Sequence, residues 1–297
     1  MHTWREISST ALTEAVGGAV AGAIADTVLY GVDTAKIRHQ QAQTGGNMAS
    51  LYRGLAPSIL LGSVPVFGTF FLLYAPVRDV IMERYQRPEW LPVASAVCAV
   101  PATLISVPAD VLKKRLVLAT EPVTAPQAIK ELIKARGFFA GWHINLIRDL
   151  PFAAVKVSLY EVMVQYYLAY VQAPTVSDDS NNDGGKPKIS PLGASLCGVA
   201  SGVVCGVVTC PLDVVNTSIK AHANEGRPRP SLWTEGYRIV QQNGTTALFR
   251  GAGFRAVILG LGSSIFWPIQ QGVAQSWGAD TLQPLQEMLL EVYQVGR

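Results

Sequence analysis

Six long apolar segments recur along the chain, at about residues 11–32, 56–82, 91–111, 144–171, 189–215 and 254–274. Each approaches the length of a helix that crosses a bilayer, roughly 20 residues. Proline, glycine or a charge interrupts several of them. A membrane interior tolerates this where neighbouring helices or a water-filled cavity satisfy the freed groups. The connecting stretches differ in character. Basic residues gather in 36–53, 113–136 and 220–250, whereas 173–191 is polar, rich in Asp, Asn and Gly, and reads as an exposed flexible loop. Basic loops collect on one side of a membrane. With six spans, both termini then lie on the other side.

The feet of the odd-numbered spans share a pattern. "VPADVLKKRL" holds Pro108, Asp110, Lys113 and Arg115; "GVDTAKIRHQ" holds Gly31, Asp33, Lys36 and Arg38; "PLDVVNTSIK" holds Pro211, Asp213, Asn216 and Ser218. Small residues stand thirteen and nine positions before each Pro or Gly: Gly18 and Gly22, Ser95 and Ala99, Gly198 and Gly202. Such spacing lets helices approach closely in lipid. A second mark follows each foot, "LYRG" ending at Gly54, "FFAG" at Gly141 and "LFRG" at Gly251, and an apolar segment follows each mark. The pattern predicts three tandem helix-pair repeats, 1–90, 91–188 and 189–297.

Composition agrees with a membrane protein. Of the 297 residues, 49% are hydrophobic and 15% charged, below the roughly one quarter of soluble domains. A net charge of +3 without a basic arm argues against nucleic acid as a partner. The opening residues lack the order of a secretory signal, and Glu6 and Glu14 interrupt any transit-like stretch, so internal targeting is expected. Cys98, Cys197, Cys205 and Cys210 form no CxxC pair and read as small buried hydrophobes. His2, His39, His143 and His222 lack ligand spacing, so no metal site is expected. No nucleophile elbow, phosphate loop or other cofactor motif appears, so neither an enzyme nor a cofactor is expected.

The threefold foot resembles the signature of the mitochondrial carrier family, Pro-x-Asp/Glu-x-x-Lys/Arg-x-Lys/Arg, and the likeness covers nearly the whole chain. The resemblance implies an all-α membrane protein. Six transmembrane helices would form three helix-pair repeats, with pseudo-threefold symmetry around a central cavity. It further implies a monomeric solute carrier of the mitochondrial inner membrane, with the plastid envelope as alternative, embedded in bilayer lipid that includes cardiolipin. In such a carrier each acid pairs with the base of the next repeat to close the matrix side. On this chain Asp33 would pair with Lys113 and Asp213 with Lys36. Asp110 would face Asn216, a neutral partner, and Gln40 would brace the ring. Gly31 departs from the proline of the signature, because it permits a bend without enforcing one. The family's outer gate is poorly kept: Tyr74, Ala75 and Arg78, then Tyr160, Glu161 and Val164, then Gln270, Gln271 and Ala274. Arg78 with Gln271 is the best contact that remains, so a loosely closed outer end is expected.

Charges inside spans are functional candidates by default. Asp26 lies two helical turns before Asp33, on the same face. Arg148 and Asp149 are adjacent, and Lys156 follows on roughly the face of Arg148. A cation beside an anion complements a free α-amino acid, arginine taking the carboxylate and aspartate the ammonium. "GSVP", with Gly62 and Ser63, "RDLPF" and Asp26 are similar to marks of S-adenosylmethionine carriers and related orphan carriers. That likeness implies exchange of S-adenosylmethionine for S-adenosylhomocysteine. Gly62 would leave room for a flat ring, Phe152 would face the adenine, Asp26 would balance the sulfonium, and Ile258 with Leu259 would form an apolar contact point. Lys156 adds a positive charge, and the four charges sum to zero, which suits a zwitterion as well as a monocation. Two other readings stay open. One is a carrier for another amino acid or for a metal ion, although Asp26 and Asp149 are too few acids for an oxygen cage. The other is a transport-inactive protein of the same fold, suggested by the eroded outer gate, Gly31 and Asn216.

Overall fold

The computed structural model describes residues 4–40, 52, 54–85, 88–118, 125–134, 142–172, 189–224 and 231–276. The side chains of Lys36 and Gln40 lie outside the described residues. All regular structure among the described residues is helical. In chain order the helices are α1 (Trp4–Gln40), α2 (Leu55–Val80), α3 (Leu91–Leu118), α4 (Ala125–Lys134), α5 (Trp142–Tyr167), α6 (Pro191–Val208), α7 (Cys210–Asn224), α8 (Leu232–Asn243) and α9 (Ala252–Ser276).

Five stretches are long and apolar enough to cross a membrane: Thr10–Thr34, Leu55–Val80, Leu91–Lys113, Pro191–Val208 and Thr245–Ala274. The sixth expected span is α5, which has the length, at 26 residues, but also Arg148, Asp149, Lys156 and Glu161. Those charges lower its hydropathy. The outside of the molecule is apolar: Leu12, Val16, Val20, Ile24, Val28 and Val32 of α1 are all exposed. Water would not tolerate so long an apolar band, and lipid would.

The second and sixth spans each start at a glycine for a conformational reason. Gly54 and Gly251 have φ of 87° and 86°, a region that favours glycine. The N–H groups of Ser58 and Arg255 donate to the carbonyls of Gly54 and Gly251 at 3.1 and 3.0 Å, opening the first turns of α2 and α9. Within α2 a π turn over Ile59–Ser63 stands just before Pro65. Proline lacks an N–H and its ring crowds the carbonyl four residues back, so the wider turn relieves both effects.

The three feet differ. α1 runs unbroken through Gly31 and α3 through Pro108, whereas the third foot is broken between α6 and α7. There Pro211 cannot donate to the residue 207 carbonyl. Thr209 sits at φ −89°, ψ −1°, and its hydroxyl caps Cys205 by donating to the carbonyl at 2.7 Å.

The six long helices close into a ring. α1 packs on α2, α3 on α5 and α6 on α9, while α2 meets α3, α5 meets α6 and α9 meets α1. Lipid tails supply no hydrophobic drive between helices, so close packing of backbones must do so. The small residues serve this purpose. A Cβ on Gly202 would stand 2.4 Å from the Leu259 carbonyl oxygen, and one on Gly198 2.6 Å from that of Ser263. On α1, Gly22 and Gly18 lie beneath the rings of Phe67 and Phe71. Ser95 of α3 donates to the Ala153 carbonyl of α5 at 3.4 Å. The main buried cluster includes Phe70, Phe71, Tyr74, Tyr160, Val164, Phe266 and Trp267, toward the end of the ring that holds the N-terminus.

Gly202→Ala is therefore expected to lower thermal stability by about 1–3 kcal/mol through overpacking. Gly272→Ala, where a Cβ meets nothing within 4 Å, is expected to be neutral or slightly stabilising. Thermal unfolding of the two variants in one detergent checks the pair.

Candidate functional site

The ring brings four charged clusters to its middle and to the end with the signature feet. On α1, the Asp26 carboxylate accepts a hydrogen bond from the Ser63 hydroxyl at the end of the α2 π turn. On α5, Arg148 Nε donates to Asp149 Oδ1 at 2.6 Å, and both side chains are partly accessible. Lys156 has no carboxylate within ion-pair distance among the described residues. Its ammonium lies over Phe152 at 5.6 Å and over Phe266 of α9 at 5.8 Å. At the start of α9, Arg255 pairs with Asp213 of α7 at 2.8 Å and donates to the Thr209 hydroxyl at 3.2 Å. Its guanidinium also lies 5.7 Å from the Phe152 ring centre.

Magnitudes separate these groups. A cation at mid-membrane costs about 2.5–3.5 kcal/mol even on the lowest scales. Two long cation–π contacts near 6 Å return about 0.5–1 kcal/mol each where water still reaches the group. Lys156 is therefore the least compensated of these charges, and its ammonium needs water or a ligand. Arg148 and Arg255 are already neutralised by carboxylates.

Arg255 was not among the sequence candidates. It is the one cation within the sixth apolar segment, but it sits next to a basic loop and so reads as part of it. Its place four residues after Gly251, level with the fifth-span foot, is the signal that marks it.

At the end that carries the feet, Lys113 Nζ stands 3.6 Å from Asp33 Oδ2, as the cyclic pairing requires, and lies over the Tyr30 ring at 4.6 Å. This pair is partly exposed and is worth about 0–1 kcal/mol. Asp213 holds Arg255 here, and its expected partner Lys36 lies outside the described residues, as does Gln40. Asp110 and Asn216 do not bond to each other among the described residues, and Asn216 Oδ1 is buried without a partner. The neutral link expected there is absent because Asn216 turns into the buried interior, with 2% of its surface exposed.

The opposite end corrects a second expectation. Arg78 does not reach for Gln271. It grips Glu14 of α1 with both terminal nitrogens, at 2.7 and 3.3 Å, and bonds Asp79 at 2.8 Å. Glu14 and Arg78 are both almost wholly buried. A carboxylate competes for a guanidinium far better than a neutral amide does. Gln271 instead donates to the Tyr160 hydroxyl at 2.7 Å, and the Tyr74 hydroxyl donates to Glu161 Oε1 at 2.6 Å. Tyr160 stacks on Trp267 at 3.6 Å, nearly parallel, and Phe71 leans on Phe266 at 5.9 Å. This end is closed firmly, not loosely, by aromatic contacts and hydrogen bonds. Glu14 had been passed over. Its signal was an acid inside the first apolar segment, the same signal that identified Asp26.

The remaining candidates fall into place unevenly. A side chain on Gly62 would meet Ala109 Cβ of α3 at 3.3 Å, so the glycine admits a neighbouring helix, and the space is not left for a ring. Phe152 already serves two cations. Ile258 and Leu259 are partly buried on α9, with the Leu259 carbonyl against Gly202. Among the described residues no group of three or more His, Cys, Asp or Glu side chains comes together. All four cysteines are free and buried.

Comparison with known proteins gives a consistent picture. The family model described as mitochondrial carrier protein matches residues 91–171 and 187–277. The chain is 31% identical over 273 residues to "S-adenosylmethionine carrier 1, chloroplastic/mitochondrial" of Arabidopsis thaliana, covering 88% of this chain and 78% of that one. It is 28% identical over 260 residues to "Mitochondrial S-adenosylmethionine carrier protein" of Mus musculus, covering 84% and 89%. It is 29% identical over 267 residues to "S-adenosylmethionine mitochondrial carrier protein homolog" of Drosophila melanogaster, covering 85% and 88%.

Removing one partner of the Glu14–Arg78 pair leaves a buried charge. Glu14→Leu alone is expected to cost about 3–5 kcal/mol, and Glu14→Leu with Arg78→Met much less. Thermal melts of the single and double variants check this; equal losses would mean that the pair is not buried as described.

Proposed function

The chain belongs to the mitochondrial carrier family, and from that premise we propose that it carries S-adenosylmethionine across the mitochondrial inner membrane in exchange for S-adenosylhomocysteine. As a carrier it is a multi-pass transporter and not an enzyme, and its substrate is a small molecule. The observation that carries the substrate reading is Asp26, fixed by Ser63 on a face that Lys156 also reaches electrostatically. A carboxylate in a membrane-embedded cavity selects for a cationic group. S-adenosylmethionine brings a sulfonium and an ammonium with its carboxylate. The names of the relatives support the same substrate, and one of them, "chloroplastic/mitochondrial", keeps the plastid envelope as a second location.

Alternating access follows from the two ends. The end near the N-terminus is sealed by stacked rings and buried bonds. The opposite end is joined between repeats by the partly exposed Asp33–Lys113 pair. The second end is the easier one to open, because a pair with access to water exchanges its partners for water at small cost. Substrate would enter there from the matrix side, and closure of the feet would then release the sealed end. Against the transport-inactive reading stand the bonds Tyr74–Glu161 and Gln271–Tyr160, which bridge the outer gate despite its substitutions.

The purified protein in liposomes loaded with S-adenosylhomocysteine is expected to take up labelled S-adenosylmethionine saturably, and empty liposomes are expected to take up little. Asp26→Asn is expected to reduce uptake about tenfold or more, the loss of roughly 1.4 kcal/mol or above. No uptake by folded wild-type protein would sink the substrate assignment and leave the carrier fold standing.

A further inference from the structure

Resting on that substrate reading, we propose that Lys156, and not Arg148, holds the α-carboxylate of the substrate, while Asp26 takes its cationic group. Arg148 is then a positioning residue that orients Asp149.

Three observations lead to this division. The first concerns the surroundings of Arg148. Its Nε is engaged by Asp149, and Asp110 and Asp213 act on it electrostatically as well. A carboxylate brought to Arg148 would enter a field set by three acids. The second concerns Lys156, whose ammonium contacts only the rings of Phe152 and Phe266 among the described residues. The Cys205 thiol and, of the carboxylates, Asp26 act on it electrostatically, without a direct ion pair. The third concerns Asp26, which accepts a bond from the neutral Ser63 hydroxyl, and no cation among the described residues touches it. Lys113 and Lys156 act on it at a distance, and Lys113 is held by Asp33. Arg255 is no competitor for the carboxylate, because Asp213 and Thr209 hold it.

Among the described residues Lys156 is thus a cation, and Asp26 an anion, without an ion-pair partner, and each acts on the other without direct contact. A zwitterionic amino-acid group completes both. Its carboxylate meets Lys156, and its ammonium, or the sulfonium beyond it, meets Asp26. A compound without the carboxylate leaves Lys156 uncompensated in the membrane and is disfavoured on that account. Lys156 is therefore a specificity-determining residue, which reads the presence of a carboxylate.

The test compares S-adenosylmethionine with decarboxylated S-adenosylmethionine as labelled substrates in loaded liposomes. Wild type is expected to favour the carboxylate-bearing compound by about tenfold or more. Lys156→Gln is expected to bring the ratio near one, Lys156→Arg to retain the preference, and Arg148→Gln to slow both compounds without changing their ratio. Lys156→Met carries the same test if the glutamine variant does not fold. A preference that survives both neutral substitutions of Lys156, or that collapses in Arg148→Gln while they keep it, overturns this inference alone. A folded wild type that takes up neither compound overturns the S-adenosylmethionine reading and this inference with it.

Discussion

A charge within a bilayer has to be matched by an opposite charge, by a hydrogen bond or by water, and that requirement organises this molecule. Glu14 is matched by Arg78, Arg148 by Asp149, Arg255 by Asp213 and Asp26 by the Ser63 hydroxyl. Each match ties two helices together or stiffens one of them. Among the described residues Lys156 has only aromatic faces to meet. The ring of helices is permissive toward such charges because its outer wall supplies the apolar contact with lipid and its inner wall is left free for polar groups. The carboxylate preference proposed above applies the same accounting to Lys156 and to Asp26, whose match is a neutral hydroxyl.

The two ends of the ring meet the requirement differently. The feet are joined by the partly exposed Asp33–Lys113 ion pair, which separates at small cost. The sealed end uses stacked rings and buried hydrogen bonds, which are short-ranged and break together when helices part. Gly18 and Gly22 contribute to the second solution by making room for Phe71 and Phe67. The fold thereby combines a responsive end with a cooperative one.

Much of the architecture was legible in the sequence. Apolar length gave the spans, threefold repetition gave the helix pairs, and small-residue spacing marked the close contacts between helices that Gly198 and Gly202 make. Asp26, Arg148, Asp149 and Lys156 were visible because charges are rare in apolar segments. Apart from Asp33 with Lys113, which the repeated signature pairs, partner choice was not visible. Glu14 and Arg78 are 64 residues apart, and nothing local in either stretch points to the other. Arg255 was hidden by its basic neighbours, and the role of Gly62 depends on Ala109 of another helix. Identity and spacing report which side chains are expensive to bury, whereas the match each one finds is a property of the packed ring.

The Glu14–Arg78 pair has a consequence for how such a molecule can change over generations. Both residues belong to the α1–α2 hairpin, and Asp213 and Arg255 likewise both belong to the last part of the chain. A charge pair confined to one hairpin moves as a unit when the ring opens, and it places no demand on the sequence of the other hairpins. The acid that would otherwise be needed on a neighbouring repeat becomes dispensable. Arg78 then asks for no acid from the last hairpin, where neutral Gln271 bonds Tyr160 instead. Charges settled within a hairpin are thus free to change together, while contacts between hairpins, such as Asp33 with Lys113, constrain both sides at once.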